Sequence, residues 1–489
     1  MTGRNALTRH GAQDIMAKTT PTILWLRRDL RLSDHPAFCA AVARGGAVIP
    51  VFIRDDLVQT QGAAPKWRLG LSLADLQTRL KDKGSGLVLR TGEALEVLRA
   101  LVRDTGAGAV YWSRGYDPDS IARDKHVKAA LTEDGVDVQS HLGHLMFEPW
   151  TVETKTGGFY KVYTPMWKAV RDREVPEPLT TPGNIPAPET WPESETLEDW
   201  TLGADMDRGA DVCLPHQLVG EEAAQGRLGH FVAHVIGDYN DKRDLPAVDG
   251  TSGLSASLAL GEISPRQCWH AGQRALRDGG GKGAETWLQE LVWREFAYHL
   301  AYHTPRITTG NWREEWDAFP WNQDEDRADV IAWKQGRTGE PFVDAAMREM
   351  YVTGRMHNRA RMIVASYLTK HLLSHWKIGK RWFEEHLTDW DPASNAMGWQ
   401  WAAGSGPDAT PYFRVFNPET QLDKFDRDAA YRKAWIAEGY AQPTDTALSY
   451  FKAIPKSWGM SPDTDYPDRI VGLKEGRQRA LDAYEDRPF

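Results

Sequence analysis

The chain has 489 residues, of which 41% are hydrophobic and 26% charged, a balance typical of a globular protein with two to four domains. It contains no run of 18 apolar residues, and its first 20 residues lack the apolar core of a signal peptide, so we expect no membrane span and a cytoplasmic location. A net charge of −9 excludes a general polyanion binder, and three widely spaced cysteines exclude a disulfide framework. The 21 tryptophans, against 15 tyrosines and 14 phenylalanines, indicate roles beyond packing.

Short apolar runs alternate with amphipathic segments over the first 150 residues. We predict strands and helices, in alternation, at Ile23–Leu26, Pro36–Arg44, Ala47–Ile53, Lys66–Lys83, Leu87–Leu89, Glu93–Asp104, Ala109–Trp112 and Ser120–Glu133. Such alternation indicates a doubly wound parallel sheet with helices on both faces. Residues 20–150 are therefore predicted to form a Rossmann-like α/β domain, although no GxGxxG sequence follows the first strand.

Proline is concentrated after this domain. Six prolines between Pro176 and Pro192 disfavour regular helix and sheet, so residues 151–215 are predicted to form an extended interdomain linker. From about His216 apolar residues recur every three or four positions, which predicts an all-helical domain over residues 216–489. Its clearest helices are expected at Trp287–Tyr302, Phe342–Thr353, His357–Leu373 and Trp382–Leu387.

A positively charged stretch lies in the helical half. Residues 348–381 contain eight lysines or arginines and a single acid, Glu349. Three aromatic residues, Tyr367, Trp376 and Trp382, lie in or next to this stretch. The pattern is compatible with a phosphate-contacting surface and equally with an ordinary solvated helix face.

Two further clusters contain side chains suited to ligand binding. The hydroxyls of Thr251, Ser252 and Ser255 either cap a helix or donate to a phosphate at its N-terminus. Asp389 and Asp391 offer oxygens to a cation or a heterocycle. Two histidine pairs have the i,i+4 spacing of metal ligands, but no third ligand accompanies them, so no metal site is predicted.

Six segments resemble, in order, the motifs of the DNA photolyase/cryptochrome family. They are WLRRDLRLSDHPAF (Trp25–Phe38), GTSGLSASLALGEISPRQ (Gly250–Gln267), WLQELVWREF (Trp287–Phe296), GEPFVDAAMREM (Gly339–Met350), GRMHNRARMIVASYL (Gly354–Leu368) and NAMGWQWAAGSGPDATPYFRVFNP (Asn395–Pro418). The resemblance extends from Ile23 to about Tyr484. It is closest to bacterial cyclobutane pyrimidine dimer photolyases of class I or the related class III.

The resemblance implies an α/β antenna domain, a long linker and an all-helical FAD-binding domain, in agreement with the boundaries predicted from the residue patterns. It also implies an enzyme, a deoxyribodipyrimidine photo-lyase, in which light-excited, reduced anionic FAD gives an electron to a pyrimidine dimer in DNA. The cyclobutane ring then splits and the electron returns to the flavin. The cofactor supplies this chemistry and the protein supplies position and electrostatics. A monomer acting on nucleoid DNA is expected.

The resemblance assigns FAD binding to residues spread over the helical domain. They are Tyr239, Thr251, Ser252, Gly253, Leu254, Ser255, Trp287, Arg361, Asp389, Asp391 and Asn395. The hydroxyl-rich loop would hold the phosphates and ribitol, Asp389 would pair with Arg361 beside the isoalloxazine, and Asn395 would face flavin N5. Gly253 replaces an arginine of several bacterial relatives, so one phosphate contact is either missing or supplied elsewhere.

A lesion pocket and a DNA surface are implied as well. The pocket residues would be Glu290, Trp293, Asn358, Met362 and Trp401, and further DNA contacts would come from Arg243, Arg359 and Gln421. The dimer must be flipped out of the duplex, and flat tryptophan faces suit its splayed bases. In (6-4) photolyases histidines occupy the positions of Asn358 and Met362, which argues against (6-4) repair.

Three tryptophans, Trp399, Trp376 and Trp321, match the family's electron-transfer chain from the flavin to the surface; with Asn395 and Glu290 they are the predicted catalytic residues. Packing alone is the alternative role for each indole. The competing function is a cryptochrome-like blue-light photoreceptor with little or no repair. Asparagine rather than aspartate at position 395, a complete lesion pocket and a sequence without a long tail favour repair.

A second, antenna chromophore is also expected. Its candidates are 5,10-methenyltetrahydrofolate and 8-hydroxy-5-deazaflavin. The segment Asp117–Asp124 has Asp119 and Ser120 where folate-binding relatives can show Asn-Glu, and it keeps only Asp117 and Pro118 of the deazaflavin pattern. Both candidates therefore stay open.

Overall fold

Residues 19–408 and 413–489 are described by the computed structural model of the chain. Most residues before Thr20, to which the sequence assigns no role, lie outside this description. Residues 409–412, within the last of the six resembling segments, also lie outside it.

Five parallel strands form one sheet in the described residues, in the order β3-β2-β1-β4-β5. They are β1 Thr22–Leu26, β2 Val48–Arg54, β3 Val88–Thr91, β4 Ala109–Ser113 and β5 Asp137–His141. The helices of this domain are α1 Pro36–Ala43, α2 Asp56–Gln59, α3 Ala63–Asp82, α4 Ala94–Thr105 and α5 Pro118–Glu133. The predicted doubly wound α/β domain is confirmed, and its central strands are buried as a parallel sheet requires.

The edge strand β5 is the strand that the sequence pattern does not predict. Four of its five residues, DVQSH, are polar and none is fully buried, so no apolar run marks this strand in the sequence. The strand order reverses between β1 and β4, and at such a point the loops beyond the carboxyl ends diverge and leave a crevice. Arg27 and Arg28 follow β1 at this edge, and Arg114 follows β4.

The segment between the two domains combines short helices with extended chain. It contains α6 Tyr163–Val170, α7 Gly209–Cys213 and single 3₁₀ turns at Pro149–Thr151, Glu198–Trp200, Ala204–Met206 and Leu214–His216. The proline-rich stretch from Pro176 to Pro192 forms neither helix nor strand. It runs along the α/β domain, where the carbonyl of Pro186 accepts from the amide of Val48.

The remaining described residues are helical, as predicted. The helices are α8 Glu221–His234, α9 Tyr239–Lys242, α10 Ser255–Leu260, α11 Pro265–Arg277, α12 Gly281–His303, α13 Ala328–Lys334, α14 Pro341–Thr353, α15 Asn358–Ser366, α16 Trp376–His386, α17 Pro392–Ala403, α18 Pro418–Phe425, α19 Ala430–Trp435, α20 Asp445–Ala453 and α21 Leu473–Glu485. Short 3₁₀ turns lie at Ile236–Asp238, Pro305–Thr308, Glu314–Ala318 and Lys456–Trp458. Within the described ranges no helix is both long and apolar enough to cross a bilayer.

One predicted helix is interrupted. The segment His357–Leu373 is α-helical only to Ser366 and continues as a π-helix over Tyr367–His371. Leu373 then adopts a left-handed conformation with φ of 49°, which is unfavourable for a residue with a γ-branched side chain. This break directs the chain into α16, which begins at Trp376, earlier than the pattern predicts.

Buried polar contacts join the two domains. Arg68 of α3 forms a bidentate ion pair with Glu262, with both side chains buried. On α12, the Glu295 carboxylate accepts the backbone N–H groups of Met146 and Phe147 at 2.9 and 3.1 Å. Burial, opposed by Arg294 and these hydrogen bonds, raises the pKa of Glu295 to about 7.

Glu295→Gln is expected to stabilise the protein at pH 8 but not at pH 5. The folded-state pKa lies above the ordinary value of 4.5, so ionisation of Glu295 costs stability as the pH rises from about 4.5 to about 7. Glutamine can accept the same two hydrogen bonds without ionising. At pH 8, urea unfolding should give Glu295→Gln a free energy of unfolding that is higher than that of the wild type by on the order of 1–3 kcal/mol. Glu285→Gln, at an exposed position of α12, is the control, and equal effects of Glu295→Gln at both pH values would contradict the prediction.

Candidate functional site

A hydroxyl-rich loop precedes the short helix α10. Gly253 has a φ of 66°, a left-handed conformation that favours glycine. Leu254 precedes α10 without a side-chain capping hydrogen bond. In the described part of the chain, the hydroxyls of Thr251, Ser252 and Ser255 form no hydrogen bond with another protein group, so capping does not account for them. They are free to donate to a ligand.

Arg227 of α8 contacts the backbone of this loop. No motif in the sequence predicts this contact. Its guanidinium donates to the carbonyls of Ser252 and Thr251 at 2.8 and 2.7 Å and pairs with Asp249. A side chain built on Gly253 would have its Cβ 3.4 Å from Nε of Arg227. A cation therefore stands beside the position where an arginine is missing from the sequence motif.

The predicted pair beside the isoalloxazine is formed. Nη2 of Arg361 on α15 lies 3.0 and 2.8 Å from the two carboxylate oxygens of Asp389. Nδ2 of Asn395 on α17 donates to the carbonyl of Lys380 at 3.1 Å. A backbone carbonyl can only accept, so the amide orientation is fixed and Oδ1 of Asn395 is left as an acceptor.

Three other predicted FAD residues lie deeper in the fold. Asp391 caps α17 through the amide of Ser394, and the Tyr298 hydroxyl donates to it. The rings of Tyr239 and Trp287 are buried, and both contact Phe231, the latter with ring centroids 4.9 Å apart. Asp391 is thus hydrogen-bonded to other protein groups, whereas the rings of Tyr239 and Trp287 belong to the apolar core beneath the predicted site.

The predicted lesion residues are distributed over neighbouring helices. Glu290 of α12 pairs with Arg243, which follows α9, at 2.5 Å. One residue further along, Asp244 pairs with Arg359 of α15 at 2.7 Å. The Arg359 guanidinium in turn lies 4.5 Å from the ring of Phe425 on α18, the helix that carries Gln421. Ion pairs thus connect α9, α12 and α15 along one side of the domain.

Trp293 has a stacking partner that the sequence does not reveal. Its ring is parallel to that of Tyr163 on α6, with centroids 3.7 Å apart. The Tyr163 hydroxyl donates to the carbonyl of Gln289, which anchors α6 on α12. Burial, followed by the charge of Glu290, raises the pKa of Tyr163 above its ordinary range. The two rings form a flat slab next to Glu290, in which Tyr163 is buried and Trp293 is half-buried.

The other pocket residues lie on α15 and α17, which pack against each other. Asn358 is exposed at the first position of α15, and Met362 is half-buried one turn later. Trp401 of α17 packs on the hydrophobic cluster that contains Trp399, whereas Trp293 packs on a different cluster. The two predicted tryptophan walls therefore belong to different parts of the domain core.

The interpretation of residues 348–381 as one positive patch is wrong. Arg348 is buried in a bidentate pair with Glu438, and Lys370 is buried beside Phe413. Other cations of the stretch form ion pairs: Arg359 with Asp244, Arg361 with Asp389, Lys380 with Glu384 and Arg381 with Glu325. Because burial and ion pairing remove most of these charges from the free surface, a charge count along the sequence does not describe that surface.

The predicted electron-transfer tryptophans are all buried. Trp399 packs against α16 where Gly379 has no side chain, since a Cβ there would lie 2.0 Å from the indole. Trp376 is the first residue of α16. The ring centroid of His375 lies 5.5 Å from that of Trp376 and 5.3 Å from that of Trp321. Trp321 is 6% exposed and does not form the surface as expected, because Trp316 and Phe319 cover it.

A cleft of about 250 Å³ lies where the strand order reverses. The residues from Asp117 to Ser120, which open α5, line it together with Arg27 from the end of β1. Tyr298 and Trp390 close it from the helical domain. The segment that the sequence assigns to the antenna thus faces an interdomain cleft.

Two family models match the chain: one described as DNA photolyase over residues 22–184, the other as the FAD binding domain of DNA photolyase over residues 287–486. A deoxyribodipyrimidine photo-lyase of Agrobacterium fabrum is 44% identical over 96% of this chain and 98% of its own. The chain belongs to the DNA photolyase family. The family predicted from the motifs is therefore confirmed.

Other members give the same assignment. The crystal structure of a bacterial class III photolyase from Agrobacterium tumefaciens superposes with a TM-score of 0.89 at 42% identity, covering 97% of this chain and 99% of that one. Cryptochrome-2 of Arabidopsis thaliana is 34% identical over 94% of this chain and 77% of its own. The photolyase relatives are thus more similar to the chain than this cryptochrome.

Proposed function

We propose that the chain is a deoxyribodipyrimidine photo-lyase that repairs cyclobutane pyrimidine dimers in DNA by light-driven electron transfer from FAD. The observation that carries the proposal is the composition of α12. Within two turns it presents Trp287 beside the flavin-binding residues and Glu290 and Trp293 toward the DNA-binding residues. In the proposed complex the flavin and the flipped pyrimidine dimer therefore meet at one helix.

The donor set fits FAD. The free hydroxyls beside Arg227 suit the phosphates, and the Arg361–Asp389 pair suits the polar edge of an isoalloxazine. When bound, reduced FAD supplies the excited electron that splits the dimer. Nδ2 of Asn395 donates to the carbonyl of Lys380, so Oδ1 is the acceptor available to a protonated N5. The anionic reduced form, which carries that proton, is the form we propose.

The lesion would be held by charge and by stacking. Glu290 can accept from the N3–H of a thymine, and its ion pair with Arg243 orients the carboxylate. The Trp293–Tyr163 slab presents a rigid apolar face to the splayed bases. Asn358, Met362 and Trp401 complete the proposed pocket, with Gln421 on its DNA side.

The interdomain cleft is the proposed site of the antenna chromophore. It has both charged and aromatic lining, which suits either 5,10-methenyltetrahydrofolate or 8-hydroxy-5-deazaflavin. The absorption spectrum of the purified protein after subtraction of the FAD bands distinguishes the two. We further propose a monomer that acts on nucleoid DNA in the cytoplasm, which gel filtration of the purified protein checks for the oligomeric state.

The decisive experiment is a repair assay. The reduced protein is bound to DNA containing a thymine dimer and illuminated, and restored thymines are counted. We expect restoration in light and none in the dark. A flavin-loaded protein that restores no thymine would refute repair and would leave the photoreceptor function.

Arg359→Ala is expected to weaken binding to damaged and undamaged DNA alike. Each phosphate contact contributes a slope of about −0.9 to the dependence of log K on log salt, so the slope should become less negative by about 1. Binding titrations at several salt concentrations measure it. Arg99→Ala is the control, because it removes a cation of α4 that is also ion-paired. A slope that does not change would remove Arg359 from the DNA surface.

A further inference from the structure

Trp376, the middle indole of the proposed electron-transfer chain, begins a series of hydrogen bonds that continues through two further side chains to a guanidinium. Nε1 of Trp376 donates to Oδ1 of Asn311 at 2.8 Å, and both residues are buried, with 0% and 2% exposure. Nδ2 of Asn311 donates to Oδ1 of Asp317, also at 2.8 Å. Arg306 donates to the other oxygen of Asp317. The sequence of groups is therefore indole, amide, carboxylate and guanidinium.

The carboxylate fixes which way the amide faces. An ionised carboxylate only accepts hydrogen bonds, so the amide nitrogen of Asn311 must face Asp317 and its oxygen must face Trp376. The hydrogen bond from Asn311, followed by that from Arg306, holds the pKa of Asp317 below its ordinary value, which favours the ionised form. The amide oxygen accepts from the indole, but an amide is too weak a base to remove the indole proton.

The indoles of Trp321 and Trp399 also lack a basic hydrogen-bond acceptor. Nε1 of Trp321 donates to the backbone carbonyl of Thr369 at 3.1 Å. Nε1 of Trp399 is buried and has no protein partner in the described ranges. His375 lies between Trp321 and Trp376, but its Nδ1 accepts from the amide of Lys377, and neither indole donates to it. Within the described residues, none of the three indoles Trp399, Trp376 and Trp321 donates to a carboxylate or an imidazole.

We propose that Asn311 is a positioning residue that keeps the Trp376 proton on its nitrogen while Trp376 is oxidised, so that the positive charge can move outward. An indole that has lost an electron is strongly acidic, and loss of its proton would leave a neutral radical that traps the charge. An amide accepts the hydrogen bond and cannot complete the proton transfer. The inference rests on the proposed function, because it concerns the photoreduction of its flavin.

The electrons balance without any proton leaving an indole. With FAD bound, Trp399 would supply one electron to the oxidised cofactor and would regain one from Trp376. Trp376 would in turn regain one from Trp321, and a soluble thiol would reduce Trp321. The net result is one electron gained by the flavin and one lost by the thiol, with every indole N–H bond intact.

The test exchanges the amide and the carboxylate. N311D/D317N keeps the number of hydrogen bonds and the net charge, but it presents a base to Trp376. Transient absorption should then detect a deprotonated Trp376 radical, and the yield of the Trp321 radical should fall at least about tenfold, since one pKa unit in favour of the carboxylate shifts a proton tenfold. If N311D/D317N instead gave the same radical-cation spectrum and the same yield of the Trp321 radical as the wild type, the proposal would be overturned.

Controls separate the hydrogen bond, the base and the fold. N311L removes the acceptor without adding a base, so the oxidised Trp376 should keep the radical-cation spectrum. In the protein without illumination, the indole N–H resonance of Trp376 should shift in both variants, and an unmoved resonance would show that the contact does not exist. Repair from pre-reduced flavin and FAD content should stay within about twofold of the wild type, since the barrier for repair is unaffected.

Failure of the proposal is distinguishable from failure of the proposed function. Loss of dimer repair in the unaltered, pre-reduced protein refutes the function. A Trp399→Phe protein with unimpaired photoreduction refutes the electron-transfer chain and this proposal with it. An unaltered radical in N311D/D317N, with repair and the chain intact, refutes the role of Asn311 alone.

Discussion

Trp399→Phe should slow the photoreduction of oxidised FAD at least about a hundredfold, equivalent to roughly 3 kcal/mol in the barrier. Trp399 is buried against Gly379 of α16 and lies near Asn395 on the same helix α17, so it is the indole proposed to reach the flavin first. Phenylalanine fills most of the same space but is much harder to oxidise than indole. Flash photolysis of the oxidised protein with a thiol reductant measures the rate.

Repair provides the internal control for this variant. Dimer splitting from chemically reduced FAD needs no electron from Trp399, so it should change by less than about threefold. Trp269→Phe, a buried tryptophan in a different cluster, should leave both reactions unchanged. Photoreduction at the wild-type rate in Trp399→Phe would assign the indole to packing alone.

Trp293→Ala is expected to weaken binding of dimer-containing DNA by about 5- to 150-fold, which corresponds to the 1–3 kcal/mol of one stacked base. The slab formed by Trp293 and Tyr163 loses the ring that faces the bases, and the remaining tyrosine loses its stacking partner. Affinity for undamaged DNA should be unchanged, because no base is flipped from it. Competition binding with the two DNAs gives the ratio.

Tyr163→Phe is the matched control. It removes the hydrogen bond to Gln289 but keeps the stacked ring, so dimer affinity should stay within about threefold of the wild type. If Trp293→Ala lowered the affinity for damaged and undamaged DNA equally, Trp293 would be a general structural residue rather than a wall of the lesion pocket. Circular dichroism of each variant verifies the fold.

Periodicity predicts much of the fold because it reports burial. The central strands are continuous apolar runs, and the helical domain follows the period of a helix, so both domains could be predicted. Strand β5 contains no buried residue and no apolar run, and the pattern therefore misses it. The π-helix at Tyr367–His371 follows from packing against its surroundings, including α21, and not from local preference.

The candidate site divides in the same way. Motifs supply the residue types, so Arg361 and Asp389 could be predicted as a pair before their contact was known. The partners Arg227, Tyr163 and Asn311 could not, because each lies far along the chain from the loop or ring that it contacts. Glutamate 290 likewise pairs with Arg243 and not with Arg294, its neighbour on the same helix.

The sequence by itself determined the family and the two kinds of domain, and it supplied the residues of the proposed flavin and lesion sites, since these follow from local order and composition. The tertiary structure alone decided that six of the eight cations of residues 348–381 are buried or ion-paired, and that Trp321 is covered. The physical reason is that charge and exposure depend on which groups pack together. Those contacts join residues that are distant in the chain, and helix packing brings them within bonding distance.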